Sequence, residues 1–310
     1  MLFSYRVKNE IVRIIPQSIS EQKDELSAFI VLRGNLRKIS ENIILSIVLD
    51  NSSNARIAYN LIKNIFNIHP MVVAKTLIHK KKHYIVKILS EEDSIKIVNE
   101  IGLIWEKSTN ENSEMIFTKK RKIIEPGSKK SYLRGAFLID GYVNDPEKMY
   151  HLEISVHRRE EAEFIHHLLN NFNLNARISF WKKRWVVYLK KGDSVFEFLR
   201  LVGVQNALLH FEDIRARKDV LNTVNRLVNC ETANLDKTIL SAAKELRSID
   251  IIEKTIGLKN ISPKLLSIAR LRKSLPYASL QELSEEIDFK ISKSGIYHRL
   301  KKINQIADEL

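Results

Sequence analysis

The apolar positions of this chain recur twice in the same order. Leu26-Ser27-Ala28-Phe29-Ile30-Val31-Leu32-Arg33-Gly34 is matched 107 residues later by Leu133-Arg134-Gly135-Ala136-Phe137-Leu138-Ile139-Asp140-Gly141. Each stretch reads as a helix of small and apolar residues that stops at a glycine, expected here in the left-handed conformation. A β-like run follows each glycine, Ile43–Leu49 in the first copy and His151–Val156 in the second. Helical spacing then returns at Ile57, Leu61, Ile62, Ile65 and Phe66, and again at Phe164, Ile165, Leu168, Leu169 and Phe172. Each copy continues with a basic hairpin, Lys80-Lys81-Lys82-His83 before Tyr84-Ile85-Val86, and Trp181-Lys182-Lys183-Arg184 before Trp185-Val186-Val187-Tyr188. A third helix follows in each, over 94–105 and 194–202.

Five elements in one order make duplication the better explanation than chance. The pattern predicts an α+β fold: a doubled αββαββα unit with pseudo-two-fold symmetry, its glycine-ended helices packed together and two four-stranded antiparallel sheets flaring from them. Repeat 1 is expected over 1–110, a connector over 111–130 and repeat 2 over 131–210. A charged linking helix is expected over 211–235. The remaining residues, 236–310, show helical periodicity without a strand signal. Helices are expected over 236–256, 263–275 and 279–287, and from 292 towards 308, with Ser262 and Ser292 as caps.

The last two helices form the most specific local signal. Ser279 and Glu282 have capping-box spacing. After a short turn, Ile296, Leu300 and Ile303 share one face, while Ser292, Lys293, Ser294, Tyr297, His298 and Lys302 lie largely elsewhere. A helix that begins with small polar and basic residues suits entry into the major groove. An ordinary solvated helix pair is the plainer alternative. The predicted motif covers about 275–308.

Charge adds a partner class. The chain has 310 residues and a formal net charge of +14, which favours a polyanion. From 231 to 310, however, 14 Lys/Arg face 11 Asp/Glu, so the electrostatic grip is expected from elsewhere. Residues 177–191 hold six cations and no acid, and 119–122 and 129–130 are basic. Lys80, Lys81, Lys82, Lys182, Lys183 and Arg184 therefore mark a candidate basic surface, with Trp181 and Trp185 flanking the second turn. Solvated turns with no partner are the alternative.

Catalytic and metal signals are weak. No apolar window approaches the ~18 residues that span a bilayer, and no signal peptide is expected. The lone Cys230 reads as a buried thiol of a reducing compartment. His166 and His167 are adjacent on a helix, and His151 and His157 lack a third ligand. No phosphate loop or nucleophile elbow occurs. Paired acids at the two helix ends could hold a divalent cation, but Arg33 stands where a match to Asp140 would be required. An Arg33–Asp140 pair is the expected role, with no catalytic residue, metal or cofactor.

The run Leu133–Pro146, together with Asn225-Arg226, Asn229-Cys230-Glu231-Thr232-Ala233-Asn234 and Ser292-Lys293-Ser294-Gly295…His298-Arg299-Leu300, resembles the signatures of the WhiA family of bacterial regulators. The helices ending at Gly34 and Gly141 resemble the LAGLIDADG homing-endonuclease fold. The resemblance covers nearly the whole chain. It implies a degenerate endonuclease-like domain without nuclease activity and a helix-turn-helix domain similar to the promoter-reading domain of sigma factors. It also implies a role in transcription, cell division and chromosome segregation, with sporulation in some relatives. Nuclease members carry an acid in each helix-end motif; Asp140 keeps it and Arg33 departs from it. The expected DNA contacts are Ser292, Lys293, Ser294, Tyr297, His298, Arg299 and Lys302. Expected partners are double-stranded DNA and the transcription machinery or another protein, in a cytoplasmic, nucleoid-associated setting. An active magnesium-dependent endonuclease and a protein-interaction scaffold stand as the alternatives.

Overall fold

The computed structural model describes residues 2–39, 42–76, 82–107, 115–119, 123–287 and 291–310. It divides into two compact units, residues 1–217 and 218–310.

The first unit is built on two buried helices. α1 (Phe3–Ile11) precedes α2 (Ile19–Arg33), and α5 (Pro126–Asp140) lies against α2. Both α2 and α5 are buried over most of their length, as helices apolar on most sides must be. Their approach is close because Gly135 faces the other backbone. A Cβ there would come within 2.9 Å of the Glu25 carbonyl oxygen and 3.0 Å of the Ala28 Cβ.

Each buried helix leads into an antiparallel sheet. After α2 come β1 (Gly34–Ile39), β2 (Asn42–Leu49), α3 (Ser52–Phe66), β3 (Met71–Thr76), β4 (Lys82–Ile88) and α4 (Glu91–Glu100). After α5 come β7 (Gly141–Val143), β8 (Leu152–Val156), α6 (Arg159–Asn171), β9 (Arg177–Trp181), β10 (Arg184–Leu189) and α7 (Gly192–Val202). The order β3-β4-β2-β1 in one sheet is repeated as β9-β10-β8-β7 in the other. That identity of topology carries the duplication expected from the pattern.

Three sequence expectations need correction. Gly34 and Gly141 have φ of −78° and −81°, so neither helix stops in the left-handed region. Glycine is needed instead because a Cβ would strike the preceding helical turn, at Ile30 in one case and Phe137 in the other. The first sheet has six strands rather than four, because β5 (Leu103–Lys107) and β6 (Met115–Lys119) add to its β1 edge. The connector thus supplies strand β6, and the helix expected over 94–105 ends early to make room for β5. Finally, the linking helix over 211–235 and the helix over 236–256 are one continuous α8 (Asn206–Thr255). No proline or glycine interrupts residues 206–255, so nothing in the backbone chemistry ends a helix there. Cys230 lies exposed on α8 rather than buried.

In the second unit, α9 (Pro263–Ser274), α10 (Leu280–Glu285) and α11 (Lys293–Asp308) pack around Ile268, Leu283, Ile296, Leu300 and Ile303 with Ile249 and Ile252 of α8. Ser262 occupies the N-cap position of α9 without a side-chain capping bond. Among the described residues, no helix is long and apolar enough to cross a membrane.

Candidate nucleic-acid interface

The helix pair of the second unit is fixed by local chemistry. At Ser279 the side chain accepts from the Glu282 amide at 3.2 Å, while the Ser279 amide donates to the Glu282 carboxylate at 2.6 Å. This reciprocal bond holds the Glu282 carboxyl below its usual range. Ser292 caps α11 by accepting from the Gly295 amide at 3.2 Å. The buried side chains Ile296, Leu300, Ile303 and Ala307 seat α11 in the core. The same spacing leaves Ser292, Lys293, Ser294, Tyr297, His298 and Lys302 exposed. Lys301 is exposed with them, a cation the sequence reading omitted although it falls between Tyr297 and Lys302 on the outer face. Arg299 is set apart: it is half-buried and lines a groove with Ile261 and Leu265.

In the first unit the β9–β10 turn is the two residues Lys182 and Lys183, at φ of 48° and 62°. Left-handed backbone at both positions suits a tight hairpin and thrusts the two lysines outwards. Lys182 Nζ lies 4.1 Å from the centre of the exposed Trp181 ring. Trp185 turns away and packs on Phe180, their centres 5.0 Å apart. Arg184 leaves the basic surface altogether. Its Nη2 donates to the Ser155 carbonyl at 2.6 Å and lies 3.2 Å from an Asp140 oxygen. Lys82 is exposed at the start of β4, whereas Lys80 and Lys81 lie outside the described residues.

At the ends of α2 and α5 the expected pair forms. Arg33 Nη2 donates to Asp140 Oδ1 at 2.5 Å, and the same nitrogen lies 3.8 Å from Asp50. His83 Nδ1 is 3.1 Å from the other Asp50 oxygen. Lys8 enters from α1 and donates to the Leu138 carbonyl at 3.1 Å, beside the Asn54 amide, which donates to the same oxygen. The Arg33 guanidinium therefore stands between two carboxylates, where a divalent cation would have to sit, and Arg184 approaches Asp140 as well. This donor set does not fit a divalent metal. Among the described residues, no three His, Cys, Asp or Glu side chains are grouped to bind one.

Lys8 and Glu10, both on α1, were not singled out from sequence. Only the buried spacing of Phe3, Val7 and Ile11 marks that helix. Glu10 accepts from the amides of Gln205, Asn206 and Ala207 at 2.8–3.0 Å and so caps α8. Burial lowers the Lys8 ammonium from 10.5 to about 8, against the pull of Asp140 and Asp50. The folded state thus sheds this proton before the unfolded state does. Stability is expected to rise as pH climbs from about 8 towards 10. Urea midpoints at about pH 7.5 and 9.5 check this, and Lys8→Met should abolish that part of the rise.

The doubled sheet topology, the paired buried helices and the capped terminal helix pair define a LAGLIDADG-like protein with a helix-turn-helix domain. Three family profiles agree along the chain: the WhiA N-terminal LAGLIDADG-like domain over residues 20–104, the WhiA LAGLIDADG-like domain over 129–221, and the WhiA C-terminal HTH domain over 224–307. The chain belongs to the WhiA family. It is 37% identical to a Clostridium botulinum protein named "Probable cell division protein WhiA", covering 100% of this chain and 99% of that one. A Clostridium beijerinckii protein of the same name is 38% identical, with the same coverage. The crystal structure of full-length WhiA from Thermotoga maritima matches with a TM-score of 0.58 at 27% identity, covering 100% of this chain and 99% of that chain.

Proposed function

We propose that the chain is a sequence-specific, DNA-binding transcriptional regulator acting in cell division and chromosome segregation, with an endonuclease-like domain that does not cleave. The observation that carries this reading is α11: capped by Ser292, seated by Ile296, Leu300 and Ile303, and presenting Lys293, Ser294, Tyr297, His298, Lys301 and Lys302 outwards. Early amides and hydroxyls of such a helix hold phosphates while longer side chains reach base edges. The Lys182–Lys183 turn supplies sequence-independent affinity from the first unit. The clostridial relatives' names support the cell-division setting. In this reading residues 1–210 carry the paired repeats, 236–310 carry the reading domain, and the protein works in the cytoplasm at the nucleoid. Arg33 between Asp50 and Asp140 argues against metal-dependent cleavage.

The test is duplex binding by the intact protein, first mapped across the genome to obtain a site. Lys293→Ala with His298→Ala should weaken the specific complex by about tenfold to a hundredfold, one or two lost contacts at ~1–3 kcal/mol each. Lys182→Ala with Lys183→Ala should lower affinity on all sequences and reduce the slope of log K against log salt by about 1–2. Unchanged titrations for the first pair would remove α11 from the DNA. Cleavage of duplex with magnesium would overturn the non-enzymatic reading.

A further inference from the structure

The two copies of the fold differ most at the start of their third helix. In the first copy, α4 is closed by its own residues. Ser90 accepts from the Asp93 amide at 3.2 Å, and Glu91, Glu92 and Asp93 place three carboxylates in the first turn. In the second copy, the N-cap of α7 is Lys191, with no side-chain capping bond. Its one acidic first-turn residue, Asp193, is drawn away to Arg215 at 2.6 Å. The positive end of α7 is thus left without the negative charge its counterpart carries.

That helix end opens into a cavity of about 470 Å³ between β9, β10 and the turn after α6. Arg177, Lys190 and Lys191 line it, and no carboxylate does. Ser194 also lines it, at 8% exposure, and among the described residues no protein group is bonded to its hydroxyl. A hydroxyl so nearly enclosed, with no partner in the chain, calls for one from outside. Tyr188 offers a ring face, under Lys190 at 5.1 Å, and Asn175 a side-chain amide beside it.

We infer that this cavity is a binding site for a small phosphorylated molecule of about mononucleotide size. Its phosphate meets the α7 amides, Ser194, Lys190, Lys191 and Arg177. The rest of the molecule lies along Tyr188 and the asparagine amides. The volume falls in the range of small-molecule pockets, roughly 300–1,000 Å³, and a free helix start with converging cations is a ready phosphate site. The cavity lies at the end of the β9–β10 hairpin opposite the Lys182–Lys183 turn, about five residues or roughly 17 Å of strand away. The inference does not depend on how the chain binds DNA.

The experiment is calorimetric titration of the full-length protein, without DNA, using AMP, GMP, UMP and inorganic phosphate at fixed ionic strength. At least one nucleotide is expected to bind with a Kd of about 1 mM or tighter. Lys190→Ala with Lys191→Ala should weaken that binding by about tenfold or more, and Ser194→Ala by severalfold. The two lysines are exposed, so the fold is retained, which circular dichroism checks. Absence of binding by every probe overturns the inference, as does binding that the three substitutions leave unchanged. If the variants instead weaken only duplex binding while no small probe binds, the cavity holds backbone phosphate and the small-molecule assignment falls.

Discussion

Arg134→Ala is expected to destabilise the first unit by about 3–5 kcal/mol, the usual loss when one member of a buried pair is removed. Arg134 lies on α5 and reaches Glu25 on α2 through Nη2 at 2.6 Å and Nε at 3.1 Å, with Ser131 accepting a further bond. Glu25 is 1% exposed and Arg134 6%. Burial already pushes the Glu25 carboxyl up, with Arg134 opposing it. Without Arg134 the carboxylate stays buried and unpaired at neutral pH. The folded variant then takes up a proton more readily than the unfolded chain, so its deficit should shrink as pH falls. Urea denaturation at about pH 5 and pH 8 reads this directly. Adding Glu25→Leu to Arg134→Met should recover most of the loss, because an apolar pair avoids the desolvation that the ions pay. A double variant as weak as the single would mean that packing, not charge, holds the helices together.

Arg272→Ala should have an effect of similar size in the second unit, about 3–5 kcal/mol, with a different consequence. Arg272 is 2% exposed, and its Nε lies 2.8 Å from Glu245 on α8. Its Nη1 donates to the Ala278 carbonyl at 2.6 Å, in the turn that leads into α10. One side chain therefore anchors α8, α9 and the entry to the helix-turn-helix. Glu245, whose carboxyl burial already pushes up, would be left with Ser241 as its hydrogen-bonding side chain. Limited proteolysis should open residues 218–310 well before residues 1–217, with fragment masses as the readout. Specific DNA binding should fall with it, since α11 loses the platform on which it is seated. Equal resistance of both regions in the variant would contradict this account.

The duplication was legible because it is written in apolar spacing, and spacing is what the buried sides of helices and strands require. The Arg33–Asp140 pair was legible for the same reason, since aligning the two copies put the residues in matching places. The extra strands β5 and β6 were not. Leu103–Lys107 follows a helix with no proline or strong turn signal, and its partner lies in a charged stretch that reads as a connector. Pairing between strands is decided by the rest of the sheet, which local pattern does not contain. The inward turn of Arg184 escaped notice too. In the sequence it is the third of three consecutive cations, but the hairpin register places it across from Trp181 while its guanidinium crosses to Ser155 and Asp140. Its neighbours Lys182 and Lys183, in the turn itself, have no such partner on the adjoining strand. Lys8 and Glu10 were missed because their roles depend on segments about 130 and 195 residues away.

The arrangement of Lys8, Arg33 and Arg184 around Asp140 also bears on evolutionary reversal. A single codon change that restored an acid at Arg33 would bring carboxylates together at the helix ends, yet Lys8 and Arg184 would remain to neutralise them. An ancestral cation-binding centre would return only if three positions, on α1, α2 and β10, mutated in concert. Each intermediate would carry mismatched charge near the buried helix seam, so selection for a stable fold would act as a ratchet against regaining the lost chemistry.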